Sequence, residues 1–299
     1  MLAAGLWAVD ALLRTELTKT IPSIWIVFIE HLVGFIILSP FLIRSWGKIK
    51  TLRSGDWLKL VGLTIVSSVL ASLLFTEALF RSFAQFDFAT PVLLQKLQPI
   101  FVILLAAIFL KEKITFRYLV LVPIALVGSY LISFGVDPVQ FHMAGKELVY
   151  LLAVGASLCW GVGTILSKSI LNKLTYSEAT TLRFLLAIPL SLMVGLLIKP
   201  DYSLTSLSVS EITRFIVIAF TTGAGAILIY YRGLQYTEAK ISTIAELTFP
   251  IVSILIAITA LNPYGSPQVL SLANIFGIII LLSAILAISL DNYQTKRGL

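Results

Sequence analysis

The chain reads as a succession of long apolar runs separated by short polar breaks. An α-helix needs roughly 20 apolar residues to cross the hydrocarbon of a bilayer. Ten runs approach or exceed that length: Leu2–Leu17, Ser23–Ile43, Trp57–Phe80, Phe88–Leu110, Thr115–Phe134, Glu147–Ile170, Ser177–Ile198, Glu211–Gln235, Ala239–Leu261 and Gln268–Leu290. The pattern predicts an all-α polytopic membrane protein of ten transmembrane helices. The first run is short and contains Asp10. Connections are short, so consecutive helices are expected as antiparallel neighbours. The longest, Arg44–Asp56, Gly135–Lys146 and Lys199–Ser210, cannot hold a soluble domain.

Composition fixes the solvent. The 299 residues are 58% hydrophobic and 12% charged, against roughly 25% charged in a soluble domain. Mean hydropathy is +0.99. The net charge of +7 is read as basic cytoplasmic loops and not as a nucleic-acid surface. Arg44, Lys48, Lys50, Arg53, Lys111, Lys113, Arg117, Lys168, Lys173, Arg232, Lys240, Lys296 and Arg297 fall on one side. They outnumber Arg14, Lys19, Arg81, Lys146, Lys199 and Arg214 on the other. Both termini are therefore expected in the cytoplasm, with the chain in the cell (inner) membrane. Met1-Leu-Ala-Ala-Gly-Leu-Trp has no basic leader and reads as membrane helix, not signal peptide.

Cys159 stands alone and cannot form an intramolecular disulfide. With two histidines far apart, no metal site is expected. His-Glu-x-x-His, Gly-x-Ser-x-Gly and P-loop signatures are missing, so neither an enzyme nor a cofactor is expected. No ATP-binding domain is present, which leaves a gradient or exchange to drive any transport.

The sequence repeats weakly. Leu6-Trp7 aligns with Cys159-Trp160, Glu30 with Arg183, Arg81 with Arg232, Gln95 with Glu246 and Pro99 with Pro250. Two five-helix repeats follow, residues 1–137 and 146–299. An odd helix number sends the second half into the membrane the other way up. Such inverted repeats place a transporter's site near the midplane between the halves. Glu147–Leu158 precedes Trp160, but only Met1–Leu6 precedes Trp7. The first helix thus reads as clipped or unusually short.

Several motifs carry a family resemblance. They are the Leu6-Trp7 and Cys159-Trp160-Gly161 openings, Glu77-Ala78-Leu79, Arg232-Gly233-Leu234, and Leu97-Gln98-Pro99-Ile100-Phe101 running to Phe109-Leu110-Lys111-Glu112-Lys113-Ile114-Thr115. Over essentially the whole chain this resembles the EamA-type transporters of the drug/metabolite transporter superfamily. The resemblance implies the ten-helix, two-repeat fold and transport of a small metabolite. Asp10, standing where the second half has Gly163, departs from the pattern, and Lys96 is not a residue the family assigns.

Polar residues inside the spans carry the chemistry. Lys96 lies well within the fourth run, where a lysine costs about 3 kcal/mol on insertion scales. Gln95, Lys96 and Gln98 cover an arc of roughly 160° on a helix. Lys96 either binds an anionic group of a solute or locks helices through an ion pair. Pro99 deprives the Gln95 carbonyl of its helical partner, and Pro250 does the same to Glu246. Glu246 can carry a proton, pair with Lys96 or accept a solute ammonium. Glu30 and Arg183 either pair across the two halves, or act separately as gate and anion grip. Tyr176, Thr180 and Arg183 share a helix face. His31 is a proton relay or a hydrogen-bonded interior histidine. Asp10 faces the pathway from the first helix, and Glu77 meets Arg81 one turn on. Trp7 and Trp160 floor a pocket or serve packing. Proton-coupling candidates are Glu30, His31, Glu246 and Asp10.

The reading is a secondary transporter moving a small polar or amphiphilic metabolite, amino-acid-like and exported, by alternating access. An organic-phosphate or nucleotide-sugar exchanger is the second reading, and a non-transporting membrane receptor or assembly factor the third. The partners are the small-molecule substrate and the lipid bilayer, without nucleic acid; homodimerisation is left open.

Overall fold

The structure is a computed structural model that describes residues 1–83, 89–136, 147–204, 207–262 and 266–297. Much of the expected link Gly135–Lys146 lies outside the described residues. Every regular element described is helical. In chain order α1 is Leu2–Leu17, α2 is Ser23–Ile49, and α3 runs from Ser54–Leu63 through a π-helical stretch, Thr64–Leu70, into Ala71–Phe83. In α4, Ala89–Gln95 is followed by Gln98–Leu105 and a second π stretch, Ala106–Leu110. Then come α5 Phe116–Phe134, α6 Glu147–Leu171, α7 Tyr176–Ile198, and α8 as Val209–Phe220 plus Ala224–Tyr236. Last are α9, as Ala239–Glu246 plus Phe249–Ala257, and α10 Leu272–Arg297. Among the described residues nine spans are long and apolar enough to cross a membrane; α1, with 16 residues, is the shortest of these rods. Large apolar side chains such as Phe109, Leu151, Leu197 and Phe276 lie exposed, as lipid-facing residues do.

Local chemistry sets the boundaries. Thr175 and Glu178 cap α7 reciprocally, as Ser208 and Glu211 cap α8. Thr115 Oγ1 accepts the Tyr118 N–H at 3.1 Å and starts α5. Several boundaries differ from expectation by a few residues, and two of them have a clear local cause. The second helix continues past Ile43 to Ile49, because hydrocarbon thickness limits the apolar run and not the hydrogen-bonded helix. The last begins at Leu272, where Ser271 Oγ accepts the Asn274 N–H at 3.2 Å. Gln268 instead donates its N–H to the Ala257 carbonyl at 2.8 Å.

The breaks in α4 and α9 are alike. Before Pro99 the chain tightens to three-residue bonds, Lys96 N to Leu93 O at 2.9 Å and Leu97 N to Leu94 O at 3.1 Å. Before Pro250 it does so at the matching positions, Leu247 N to Ile244 O at 3.1 Å and Thr248 N to Ala245 O at 3.3 Å. A proline supplies no N–H and clashes with the preceding turn, so each helix is interrupted where its polar residues stand.

α2 packs along α7, α3 along α6 and α5 along α10. One end of the bundle is shut. Leu60, Leu63, Val102, Ala106, Leu171, Leu174, Leu234 and Ala239 bury one another there. Lys168 Nζ donates to the carbonyls of Leu234, Gln235 and Thr237 at 2.7, 3.2 and 2.7 Å. The Glu112 carboxylate accepts the first N–H groups of α9, from Ala239 at 2.7 Å and Lys240 at 3.0 Å. A carboxylate at a helix N-terminus is well placed, since it meets both unpaired donors and the positive end of the dipole.

Candidate functional site

Inside the bundle lies a cavity of ≈ 180 Å³, lined by α1 to α4 and by α6 to α9. Its first region forms around the two helix breaks. Gln95, Lys96 and Gln98 of α4 and Glu246 and Phe249 of α9 line it. The Lys96 ammonium sits 3.6 Å from the centroid of the Phe249 ring. Such a cation–π contact contributes up to about 2 kcal/mol when desolvated. Among the described residues Lys96 has no ion pair or hydrogen bond, although the Glu246 charge acts on it. Gln98 Nε2 donates to Glu246 Oε2 at 3.0 Å, and Gln95 Nε2 reaches Gln98 Oε1 at 3.4 Å. Glu246 Oε1 is buried and makes no hydrogen bond of ordinary geometry, although the Tyr230 hydroxyl neighbours the carboxylate. Aromatic pairs supply the walls. Trp7 meets Tyr230 at 5.3 Å and Phe75 meets Trp160 at 5.2 Å between ring centroids. Tyr230 is also held by Thr164, 3.2 Å between hydroxyl oxygens.

The second region is ionic. Arg14 Nε donates to Asp10 Oδ2 at 2.5 Å, Nη2 to Glu30 Oε2 at 2.8 Å and Nη1 to Thr76 Oγ1 at 3.4 Å. Thr222 Oγ1 donates to Asp10 Oδ1 at 2.5 Å. One guanidinium thus ties α1 to α2 and α3, and its partner Asp10 reaches α8. From the sequence Arg14 is a loop charge, and Glu30 and Arg183 either pair or act separately. The first expectation is corrected, since Arg14 is 8% exposed, and of the two alternatives the separate one holds, since Arg14 is the partner of Glu30.

Arg183 has a cradle of its own. Nε donates to Ser68 Oγ at 2.5 Å, Nη2 to Ser67 Oγ at 3.0 Å and Nη1 to the Tyr231 hydroxyl at 2.8 Å. Both serines belong to the π stretch Thr64–Leu70, and π turns recur at functional sites. Gly163 of α6 makes room: a Cβ there would come 2.4 Å from the Ser67 Cβ. His31 Nδ1 lies 2.7 Å from the Val27 carbonyl, and its ring packs 4.8 Å from Phe184. It is a hydrogen-bonded interior histidine on the cavity's edge.

Of the residues singled out in the sequence, Trp7, Asp10, Glu30, His31, Gln95, Lys96, Gln98, Trp160, Arg183 and Glu246 all line this cavity. Tyr176 does not. It is the first residue of α7, packs with the apolar cluster at the shut end, and has Arg232 5.9 Å over its ring. Glu77 accepts from Arg81 at 2.9 Å, as its spacing predicts. Arg14, Thr222, Tyr230 and Phe249 line the cavity as well, beyond the candidates that the sequence pattern marks. Arg14 had a signal, the i, i+4 spacing from Asp10.

Apolar spans around a charged, aromatic-walled chamber make this a polytopic membrane protein with an internal polar cavity. The model of the EamA-like transporter family matches residues 1–134 and 147–290, and the chain belongs to that family. It is a multi-pass membrane transporter. It is 33% identical over 256 residues, 85% of either chain, to the riboflavin transporter ImpX of Fusobacterium nucleatum subsp. nucleatum. It is 32% identical over 162 residues to an uncharacterised transporter of Archaeoglobus fulgidus, 53% of this chain and 54% of the other. A solved crystal structure superposes with a TM-score of 0.75 at 16% identity, covering 96% of this chain and 94% of its own. At that identity the likeness bears on fold alone.

Proposed function

We propose that this transporter carries a flat, uncharged aromatic solute with polar arms, of the riboflavin type, across the cytoplasmic membrane. The observation that carries this reading is a lysine without a hydrogen bond or ion pair among the described residues, in a chamber walled by Trp7, Phe75, Trp160, Tyr230 and Phe249. Ring faces favour stacking on a planar solute. The resemblance to the riboflavin transporter ImpX supports the same solute class.

Charge parity supports it further. Asp10, Glu30 and Glu246 face Arg14, Arg183 and Lys96 across one cavity. An uncharged solute leaves that balance intact. Organic phosphates suit it poorly, because the donors of Arg14 are engaged by Asp10, Glu30 and Thr76, and three of Arg183's by hydroxyls. A zwitterionic amino acid is the second reading, favoured by the proximity of Lys96 and Glu246.

Transport proceeds by rocking of two inverted repeats about the cavity. In the opposite state the ties of Glu112 and Lys168 part, and the shut end opens toward the cytoplasm, where both termini lie. The Asp10–Arg14–Glu30 group couples the cycle to protons. Arg14 neutralises one of two carboxylates, and burial penalises the surplus charge. α1 links the sites, since Trp7 and Asp10 are three residues apart on one face.

A thermal-shift series on purified protein tests the solute class. Riboflavin is expected to raise the melting temperature of the wild type and to have a much smaller effect on Lys96→Ala. Stabilisation by neutral amino acids but not by riboflavin supports the second reading instead.

A further inference from the structure

We infer that Lys96 and Glu246 together read a lactam edge of the solute, a ring carbonyl beside a ring N–H. The inference rests on the flavin-type solute proposed above and specifies which side of it the protein recognises. A pyrimidinedione ring presents this edge, with its N–H flanked by two carbonyls.

Start from what each side chain lacks. An ammonium only donates, and an ionised carboxylate only accepts. Lys96 comes from the break in α4 and donates to no described residue. Its position is held instead by the Phe249 ring beneath it. Glu246 ends the first part of α9 at the equivalent break. One of its oxygens is occupied by Gln98; the other makes no hydrogen bond of ordinary geometry, with the Tyr230 hydroxyl as its neighbour. Both groups line the same cavity, with Gln98 and Phe249 beside them. A donor without a hydrogen bond among the described residues therefore shares the cavity with a carboxylate oxygen that only the Tyr230 hydroxyl adjoins.

The complement of that pair is an acceptor beside a donor. A lactam supplies both and adds no charge. The carbonyl takes an N–H of Lys96, and the ring N–H gives Glu246 the donor that its second oxygen lacks. Turning the carboxylate about its last, soft torsion brings either oxygen to the solute. The second carbonyl faces the amide N–H groups of Gln95, whose reach to Gln98 is a long 3.4 Å. Gln98 is then a positioning residue, since its hydrogen bond fixes Glu246 in the orientation that leaves the other oxygen without a hydrogen bond of ordinary geometry.

This recognition is demanding in a way that ring stacking is not. Stacking tolerates any flat solute, whereas a site built to bond an N–H leaves buried polar groups unpaired when the N–H is missing. Methylation of the ring imide removes that one donor and leaves the rest of the solute unchanged.

The test uses riboflavin and its N3-methyl derivative, with flavin fluorescence reporting binding to the purified full-length protein. Wild type is expected to bind riboflavin at least about tenfold more tightly than the methylated form, as loss of a hydrogen bond to a charged group implies. Glu246→Leu is expected to abolish the preference, with both affinities near that of the methylated form for wild type. Lys96→Met is expected to weaken both ligands and keep the preference. Equal wild-type affinity for the two flavins overturns the edge assignment while leaving riboflavin as the solute. A preference retained in Glu246→Leu overturns the role of Glu246. Binding of neither flavin to wild type overturns the solute class, and the edge assignment with it.

Discussion

Arg14 Nη2 donates to Glu30 Oε2 at 2.8 Å, joining α1 to α2 inside the bundle, while its Nε holds Asp10. Replacing Arg14 with methionine leaves the buried Glu30 and the half-buried Asp10 without their cation. Breaking a buried ionic group in this way costs about 3–5 kcal/mol. Arg14→Met is expected to melt well below wild type in detergent. Combining it with Asp10→Asn and Glu30→Gln is expected to recover much of the loss, because no uncompensated charge then remains. A triple variant as unstable as the single one would assign the defect to packing.

The same cluster predicts a pH response. Its two carboxylates share one guanidinium, and Arg183 spends its bonds on Ser67, Ser68 and Tyr231. His31, Arg183 and Arg14 are the other charged or titratable groups around Glu30. Riboflavin accumulation in wild-type proteoliposomes is expected to follow an imposed pH gradient and ignore a sodium gradient. In Glu30→Gln, whatever exchange remains is expected to show a flatter pH profile. An unaltered profile removes Glu30 from coupling.

A packing test reaches Arg183 indirectly. Gly163→Ala drives a methyl into Ser67, since the added Cβ would sit 2.4 Å from both Ser67 Cβ and Oγ. Overpacking of this kind costs about 1–3 kcal/mol. The variant is expected to lose stability and transport. Adding Ser67→Gly relieves the clash and is expected to restore part of both. Thermal unfolding of the single and double variants measures the coupling.

Phosphate esters are expected to be refused. Lys96 is the one cavity cation without a hydrogen bond among the described residues, and Glu246 neighbours it. A phosphate dianion would meet one cation and one carboxylate there. Riboflavin 5′-phosphate is therefore expected to compete at least about tenfold more weakly than riboflavin, a difference of about 1.4 kcal/mol. Equal competition would require Arg14 or Arg183 to leave its present partners.

The parts of this site that depend on one helix were legible in the sequence. Pro99 and Pro250 dictate the breaks in α4 and α9 whatever surrounds them, and they carry Gln95, Lys96 and Glu246 with them. Contacts between helices were less legible. Repeat equivalence suggested that Glu30 meets Arg183, but equivalent positions need not touch. Arg14 reaches Glu30 first, from a helix whose shortness made its arginine resemble a loop charge. The serines that receive Arg183 belong to a π stretch in α3 that no residue pattern announces. Tyr176 shares a face with Arg183, yet seven residues of helix separate them by about 10 Å along the axis. That rise carries Tyr176 out of the cavity and into the shut end.

Counterflow reads transport of a riboflavin-type solute through the Lys96 chamber without the aid of any gradient. Proteoliposomes loaded with unlabelled riboflavin are placed in trace labelled riboflavin without any ion gradient. Wild-type protein is expected to draw label inward, with a transient overshoot absent from empty liposomes, and Lys96→Met to reduce the initial rate at least about tenfold. No overshoot with wild-type protein, or an undiminished rate in Lys96→Met, would contradict transport of this solute through the Lys96 chamber.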